Sequence, residues 1–183
     1  HLSIRRQRQM CIRDSNVTEA KLGETFGQWL AGRAVFVFQT KQWLIWNGSV
    51  WSEDECGLMN KLAYQFISEA KEALFGSGKH SAAGNLSSFE SLNRLENLCK
   101  LASTDRAVSL SNFDTDPMLL AAPNQWIDLK SGEAFDPDPS ILVSKAIATD
   151  YCAKSECPNF KAFLGDIFKD DLCLLYTSDA ADE

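Results

Sequence analysis

The sequence lacks the residue patterns on which several kinds of catalysis depend. It contains no GxxxxGK[ST] loop, so it has no backbone cradle for the phosphates of a nucleotide. Histidine is scarce, and His80, in a polar stretch, has no serine or cysteine partner suitably placed for nucleophilic catalysis. No apolar run approaches the ~20 residues that a membrane-spanning helix needs. These absences argue against a nucleotide hydrolase, a triad hydrolase and a membrane protein.

Metal-binding patterns are also missing. Cys152 and Cys157 are followed by no second Cys/His pair, which argues against a zinc site. Asp114, Asp116 and Asp128 are carboxylates of the type used in two-metal chemistry, but they lie in turn sequences, where aspartate bonds its own backbone. We therefore expect no metal and no cofactor in this chain. With no signal peptide in view, reduced thiols and a cytoplasmic location are expected.

The two ends of the chain are related at the level of the encoding DNA. A single short DNA sequence, read on its two strands, encodes both residues 5–14 and residues 173–183, as a transposase sequencing adapter would. We therefore predict that residues 1–15 and 173–183 are adapter-derived tails on a metagenomic fragment. Residues 16–172 are then the natural part, truncated on both sides, with a possible subdivision near residues 105–110.

Hydrophobic periodicity predicts an α+β chain in which helices pack on small antiparallel hairpin sheets. Leu22, Phe26 and Trp29 recur at helical spacing after a cap at Asn16 or Thr18. Two β-prone runs joined by a polar break then predict a hairpin, and Trp51 begins a third strand.

The rest of the chain alternates helices with loops and short strands. A long helix is predicted over residues 54–75, with an apolar stripe that includes Leu58 and Leu62. A polar loop follows over residues 76–84, and a second helix extends from Ser87 or Ser88 to about residue 103. Short strands and turns follow residue 108, and a last helix extends over residues 158–169.

The balance of charge is acidic. The net charge is −7, and it stays the same without the ends, which contain four arginines and four acidic residues. A free-standing nucleic-acid-binding module normally needs a concentrated basic face. The basic side chains that are candidates for contacting nucleic acid are Arg33, Lys41, Lys79, His80, Arg94, Lys100 and Arg106.

Four sequence strings occur in one order. They are WLIWNGSVW at residues 43–51, NFDTDP at 112–117, WIDLKSGE at 126–133 and CPNFKAFL at 157–164. In this order and spacing, residues 16–172 resemble the accessory domain of phage and plasmid primase-helicases and their poxvirus relatives. That domain precedes the superfamily-three helicase motor. The resemblance implies structural roles for Trp43, Trp46, Gly48, Trp51, Phe113, Asp114, Pro117, Asp128, Leu129, Gly132, Cys157, Pro158 and Phe160.

Two points within these strings bear on structure. The tryptophans at 43, 46 and 51 are expected to pack between the hairpin and the following helix, and the alternative is a stacking platform for exposed bases. The family usually has Asn-Gly before the DL strand, where this chain has Asn124-Gln125. Asn124 can still adopt a left-handed conformation, so the departure concerns the type of turn.

The resemblance implies a non-catalytic connector and oligomerisation region of a DNA primase-helicase, acting in replication of a phage, plasmid or other mobile element. The parent would use ATP and Mg²⁺ and form a homo-oligomeric ring in the host cytosol. Its partners would be the helicase and primase regions of the same polypeptide, with DNA contacted weakly or indirectly and no membrane. The alternative is a single-stranded-DNA-binding module that feeds the primase, for which Arg33 and Lys41 are the basic pair near the hairpin.

Overall fold

The computed structural model describes residues 18–167, which form two compact units, residues 18–150 and residues 151–167. The predicted adapter-derived tails lie outside the described residues. Helices combined with two small sheets confirm the predicted α+β class. Within the described range, no helix is long and apolar enough to cross a membrane.

The first helix, α1, spans Glu19–Trp29 and begins at a polar cap, as its sequence predicts. The Thr18 hydroxyl oxygen accepts a hydrogen bond from the Lys21 backbone N–H over 3.4 Å, which satisfies one free donor of the first turn. After the helix, Gly32 has a φ of +73°, a conformation that residues with a Cβ rarely adopt. The glycine therefore lets the chain turn into the first strand.

A four-stranded sheet follows the first helix. Its strands are β1 (Ala34–Val37), β2 (Gln42–Trp46), β3 (Trp51–Glu53) and β4 (Ala107–Val108), in the spatial order β3-β2-β1-β4. The first three strands pair antiparallel and confirm the predicted hairpin and third strand. The expectation of antiparallel sheets is wrong for β4, which pairs parallel to β1. The helices between β3 and β4 supply the long crossover that a parallel pair requires.

The long helix α2 spans Leu58–Gly76 and begins after the predicted start at residue 54. The Asp54 carboxylate lies just outside it and accepts hydrogen bonds from the backbone N–H groups of Leu58, over 2.6 Å, and Met59, over 2.9 Å. Two free donors at the positive end of the helix are thus bound by a negative side chain. The buried face includes Met59 and Phe66, whereas Leu58, predicted to lie in the apolar stripe, is exposed.

The loop predicted over residues 76–84 is wrong in its second half. Helix α3 spans His80–Leu86 and buries Ala82, Ala83 and Leu86 in the same cluster as the buried face of α2. Small and polar residues resemble a loop in the sequence. Packing against a neighbouring helix can stabilise a short helix that would not form alone.

Helix α4 spans Leu92–Asp105, so the start predicted at Ser87 or Ser88 is too early. A 3₁₀ turn occupies Ser87–Glu90, and the Ser88 hydroxyl donates to the Asn85 carbonyl oxygen over 2.9 Å. That serine therefore closes the preceding turn and does not cap α4. The buried face of α4 consists of Leu95, Leu98, Cys99 and Ala102.

Helices α1 and α4 approach each other closely at two glycines. A Cβ on Gly23 would lie 2.6 Å from the Leu101 Cβ, and a Cβ on Gly27 would lie 2.9 Å from the Asp105 Cβ. Both distances are shorter than atoms of this kind tolerate. Because these two positions of α1 have no side chain, the two helices can pack in direct contact.

The two faces of the four-stranded sheet bury different clusters. Ala34, Trp43 and Ile45 join the cluster formed by the helices. Val35 and Leu44, one residue away on the same strands, join a second cluster with Phe113 from the later part of the chain. Because successive side chains of a strand point to opposite faces, the hairpin separates the helices from the second β region.

The second β region contains a three-stranded antiparallel sheet of β5 (Leu119–Ala121), β6 (Trp126–Asp128) and β7 (Ala134–Phe135). Trp126 is fully buried in a third cluster with Val50, and its indole N–H donates to the Ser49 carbonyl oxygen over 3.1 Å. This packing and hydrogen bond join the second sheet to the β2–β3 turn.

The β5–β6 turn forms without a left-handed conformation at Asn124, which the sequence had left open. The Ala122 N–H donates to the Gln125 carbonyl oxygen over 3.0 Å, and neither Asn124 nor Gln125 has a positive φ. The turn thus does not need the glycine that the family usually has there.

The second unit contains helix α5, Pro158–Ile167, which confirms the predicted final helix. The end predicted at residue 169 lies outside the described residues.

Candidate nucleic-acid interface and motif residues

Two basic candidates flank β1, and each lies over an aromatic ring. The Arg33 Cζ atom is 3.7 Å from the centroid of the Trp29 ring, and the Lys41 Nζ atom is 3.4 Å from the centroid of the Phe38 ring. Such contacts between a cation and a ring face are attractive. Because Arg33 precedes the strand and Lys41 follows it, the two side chains belong to opposite ends of β1.

Two further candidates lie where α2 passes into α3. Lys79 and His80 are both exposed, and the His80 ring centroid is 5.5 Å from that of Phe75. Within α2, the Lys71 ammonium binds the carboxylate of Glu90, which ends the 3₁₀ turn, over 2.6 Å. A carboxylate therefore offsets the charge of that lysine.

The remaining basic candidates belong to α4 and its end. The Arg94 Nη1 atom donates to the Ser88 hydroxyl over 2.5 Å, and Lys100 is exposed six residues further along the helix. At about 100° per residue, this spacing turns the two side chains towards different sides of α4. Arg106 follows the helix, and its carbonyl oxygen accepts the Phe36 N–H over 2.9 Å. Its Nε atom is buried and has no hydrogen-bond partner among the described residues.

The basic candidates are thus divided among the ends of β1, the start of α3 and two sides of α4. Acidic side chains lie between them in sequence. Over residues 18–167, this arrangement offers separate cation–ring pairs and no continuous basic face of the kind that binds duplex DNA.

The three hairpin tryptophans occupy two sheet faces and not the single interface that we expected. Trp43 packs on the helical cluster, with its ring centroid 5.3 Å from that of Phe36. Trp46 and Trp51 face the second β region, where their centroids are 5.4 Å apart. Period-two alternation explains the division, since Trp43 and Trp46 are three residues apart on one strand. Trp51 is only 2% exposed and offers no ring face to a base.

Asp114 connects distant parts of the first unit and does not bond its own turn as the sequence suggested. Its φ is +52°, and its two carboxylate oxygens accept hydrogen bonds from the Ser144 backbone N–H, over 2.8 Å, and hydroxyl, over 2.6 Å. Phe113, beside it, is buried. The NFDTDP string thus contributes one core side chain, Phe113, and one carboxylate that binds a residue 30 positions further along the chain.

Asp128 does bond its own turn. One carboxylate oxygen accepts the Lys130 N–H over 2.8 Å, and the other accepts the Ser131 hydroxyl over 3.2 Å. The Lys130 backbone hydrogen bond is the main cause that lowers the pKa of the Asp128 carboxyl, because it favours the charged form. Gly132, with a φ of +71°, completes the turn into β7.

Other motif residues lie in turns or at the surface. Gly48 has a φ of +102° between β2 and β3, where the Asn47 side chain accepts two backbone N–H groups, each over 2.9 Å. Pro117 and Leu129 are exposed, Leu129 at 49%. None of these residues lies in a constellation suited to acid–base or nucleophilic chemistry, and the part of the chain that the structure describes contains no cluster of three metal-ligating side chains.

In the second unit, Cys157 and Pro158 mark the start of α5, and Cys152 and Cys157 are exposed free thiols. Phe160, Phe163 and Ile167 are spaced along one side of the helix, and more than half of each side chain is exposed. Cys99, by contrast, is buried in the first unit, and burial raises the pKa of its thiol to about 11.

The sequence interpretation missed Phe38 and Gln39. Phe38 directly follows β1, and 61% of its side chain is exposed. Gln39 binds two groups of the segment that follows β4, as described below. In the sequence, Phe38 is the fifth apolar residue of a β-prone run, and this pattern indicates only a longer strand.

A family model described as D5 N terminal like matches residues 23–169, which include all four strings and residues of both units. No curated protein matches the chain.

Proposed function

This chain belongs to the D5 N terminal like family, the N-terminal domain of phage, plasmid and poxvirus D5-type primase-helicase proteins, and we propose that it acts there as a non-catalytic connector. In this role it positions the helicase motor and contributes contacts between neighbouring subunits of a ring during DNA replication. ATP and Mg²⁺ are then used by the motor, and the helicase and primase regions of the same polypeptide are its partners.

The observation that carries this proposal is the extent of the family match. It includes the second unit, whose helix α5 is the last element described. Phe160, Phe163 and Ile167 give α5 an apolar side that nothing in the described residues of that unit covers. Apolar side chains exposed along one helix side are typical of a helix that docks into a groove of a neighbouring domain.

The experiment requires the longer reading frame that contains this chain and its motor. We expect the Phe160→Ser, Phe163→Ser double variant to lower the fraction of ring-sized assemblies in sedimentation velocity, together with DNA unwinding. The matched control is Lys161→Ser, which changes a charged residue of the same helix and is expected to assemble normally. A motor that assembles and unwinds equally well without residues 16–172 would contradict the connector role.

A second candidate function is direct binding of single-stranded DNA, which the contacts of Arg33 with Trp29 and of Lys41 with Phe38 favour. Stacking rings beside cations are the usual components of such sites. The two functions differ in what the monomeric chain does alone, which the salt titration described in the Discussion measures.

A further inference from the structure

The turn between β1 and β2, residues 38–41, is here called the hairpin tip. Phe38 has the largest exposed fraction of any aromatic side chain among the described residues, at 61%. The Lys41 ammonium lies 3.4 Å from the centroid of this ring. An exposed ring and a cation are therefore held together at one projecting turn.

The hairpin tip is fixed by contacts with the segment after β4. The Gln39 side-chain amide donates to the Ser109 hydroxyl over 2.8 Å, and its carbonyl oxygen accepts the Leu110 N–H over 3.2 Å. The Lys41 N–H donates to the Val37 carbonyl oxygen over 2.9 Å, closing the turn. These contacts fix the turn that contains Phe38, which lowers the entropy lost when a ligand binds.

Lys41 holds an unusual backbone conformation. Its φ is +60°, in the left-handed region that residues other than glycine and asparagine seldom occupy. Such conformations occur where a surrounding structure enforces them, and they concentrate at binding sites. Here the conformation belongs to the residue whose ammonium covers the Phe38 ring.

We propose that the hairpin tip binds single-stranded DNA, with one unpaired base stacked on Phe38 and the adjacent phosphate bound by Lys41. Every base has a flat aromatic face, and a lysine beside the ring supplies the charge for the phosphate. The Gln39 amide is occupied by Ser109 and Leu110 and does not read base edges, so binding is independent of sequence. This inference rests on the proposed function and adds a site at which the connector contacts DNA.

The Glu53 carboxylate is expected to weaken this contact. The Gln42 side-chain N–H donates to a Glu53 carboxylate oxygen over 3.4 Å, which places a negative charge beside the residue that follows Lys41. This charge repels a phosphate approaching the hairpin tip. Removing it is therefore expected to strengthen binding.

The test measures fluorescence anisotropy of a labelled oligothymidine with the full chain, at about 50 mM salt, where phosphate contacts are strong. Phe38→Ala is expected to weaken binding by roughly 5- to 150-fold, the range for loss of one stacked base. Lys41→Ala is expected to reduce the slope of log affinity against log salt by about one. Glu53→Gln, which retains an acceptor for Gln42, is expected to tighten binding.

Tyr64→Ala is the matched control, because the Tyr64 ring is also exposed, at 53%, and lies in α2 outside the hairpin tip. It is expected to bind like the unmodified chain, and matching thermal melting curves confirm that all variants are folded. A duplex of the same length should compete poorly, since its bases are already stacked. Equal binding by the Phe38 and Tyr64 variants, equal competition by duplex, or no binding by the unmodified chain would overturn the proposal. None of these outcomes affects ring assembly, so the connector function is tested separately.

Discussion

At the scale of single residues, the tryptophans differ in burial according to the sheet face that they occupy. Trp51 is 2% exposed between the hairpin and the second β region, whereas Trp43 is half-buried on the helical side. The indole N–H of Trp51 has no hydrogen-bond partner among the described residues. The contribution of Trp51 to stability is therefore one of packing alone.

We expect Trp51→Ala to lower the free energy of unfolding by about 3–5 kcal/mol, because it leaves a cavity in a closed cluster. Trp43→Ala is expected to cost less, since solvent already reaches part of that ring. Urea denaturation of both variants measures the difference. Trp51→Phe is the control, and it should recover much of the loss because no hydrogen bond is given up. A larger cost for Trp43→Ala would contradict this account.

The buried thiol of Cys99 predicts a dependence of stability on alkaline pH. Burial raises its pKa from 9.0 to about 11, so the unfolded chain releases this proton before the folded chain does. The free energy of unfolding is unaffected by this group below pH 9 and falls as pH rises to 11, by about 1–3 kcal/mol. Cys99→Ala should show a shallower decline over the same interval in denaturation at a series of pH values. Equal slopes for the two proteins would show that the thiol does not titrate in this way.

At the scale of secondary-structure elements, the crossing of α1 and α4 depends on the two glycines of α1. In an exposed helix, replacing glycine by alanine stabilises by about 1 kcal/mol. At Gly23 the new Cβ would meet the Leu101 Cβ at 2.6 Å, and the helices would have to separate. The sign of the effect is therefore reversed at this crossing.

Gly23→Ala is expected to destabilise the protein by about 1–3 kcal/mol, as overpacking does. The matched control is Gly84→Ala in α3, where a Cβ meets nothing within 4 Å and the change should stabilise slightly. Thermal melting monitored by circular dichroism compares the two variants. A stabilising Gly23→Ala would mean that α1 and α4 are not closely packed.

At the scale of the whole molecule, the net charge of −7 limits affinity for DNA. Nucleic-acid affinity comes largely from phosphates that lysine and arginine neutralise, with release of counterions. The basic candidates here are divided among several sites. A ring would repeat each weak contact around an axis, and such contacts then add through multivalency.

The monomeric chain is expected to bind single-stranded DNA weakly at physiological salt, and assemblies that contain the motor are expected to bind more strongly. A titration of DNA binding against salt, with chain and assembly in parallel, measures both. Micromolar or tighter binding by the monomer, falling steeply with salt, would favour the DNA-binding module over the connector. Weak binding by the assembly as well would argue against any DNA contact by this region.

The sequence by itself determined the elements that depend on local periodicity. Leu22 and Phe26 recur at helical spacing in α1, and the hairpin is marked by β-prone runs around a polar break. The four ordered strings identified the family. These features are visible in sequence because each depends on neighbours within a few residues.

Tertiary packing decided the remaining features. His80–Leu86 is helical because its small side chains fit against α2, and β4 pairs with β1 because the helices return the chain to that edge. Asp114 binds Ser144, and Gln39 binds the segment at 109–110, across distances in sequence that no local pattern spans. Phe38 is exposed because β1 ends at Val37, and the sequence does not show where that strand ends. Local patterns select helix and strand, but which side chains meet or remain exposed depends on contacts between residues far apart in the chain.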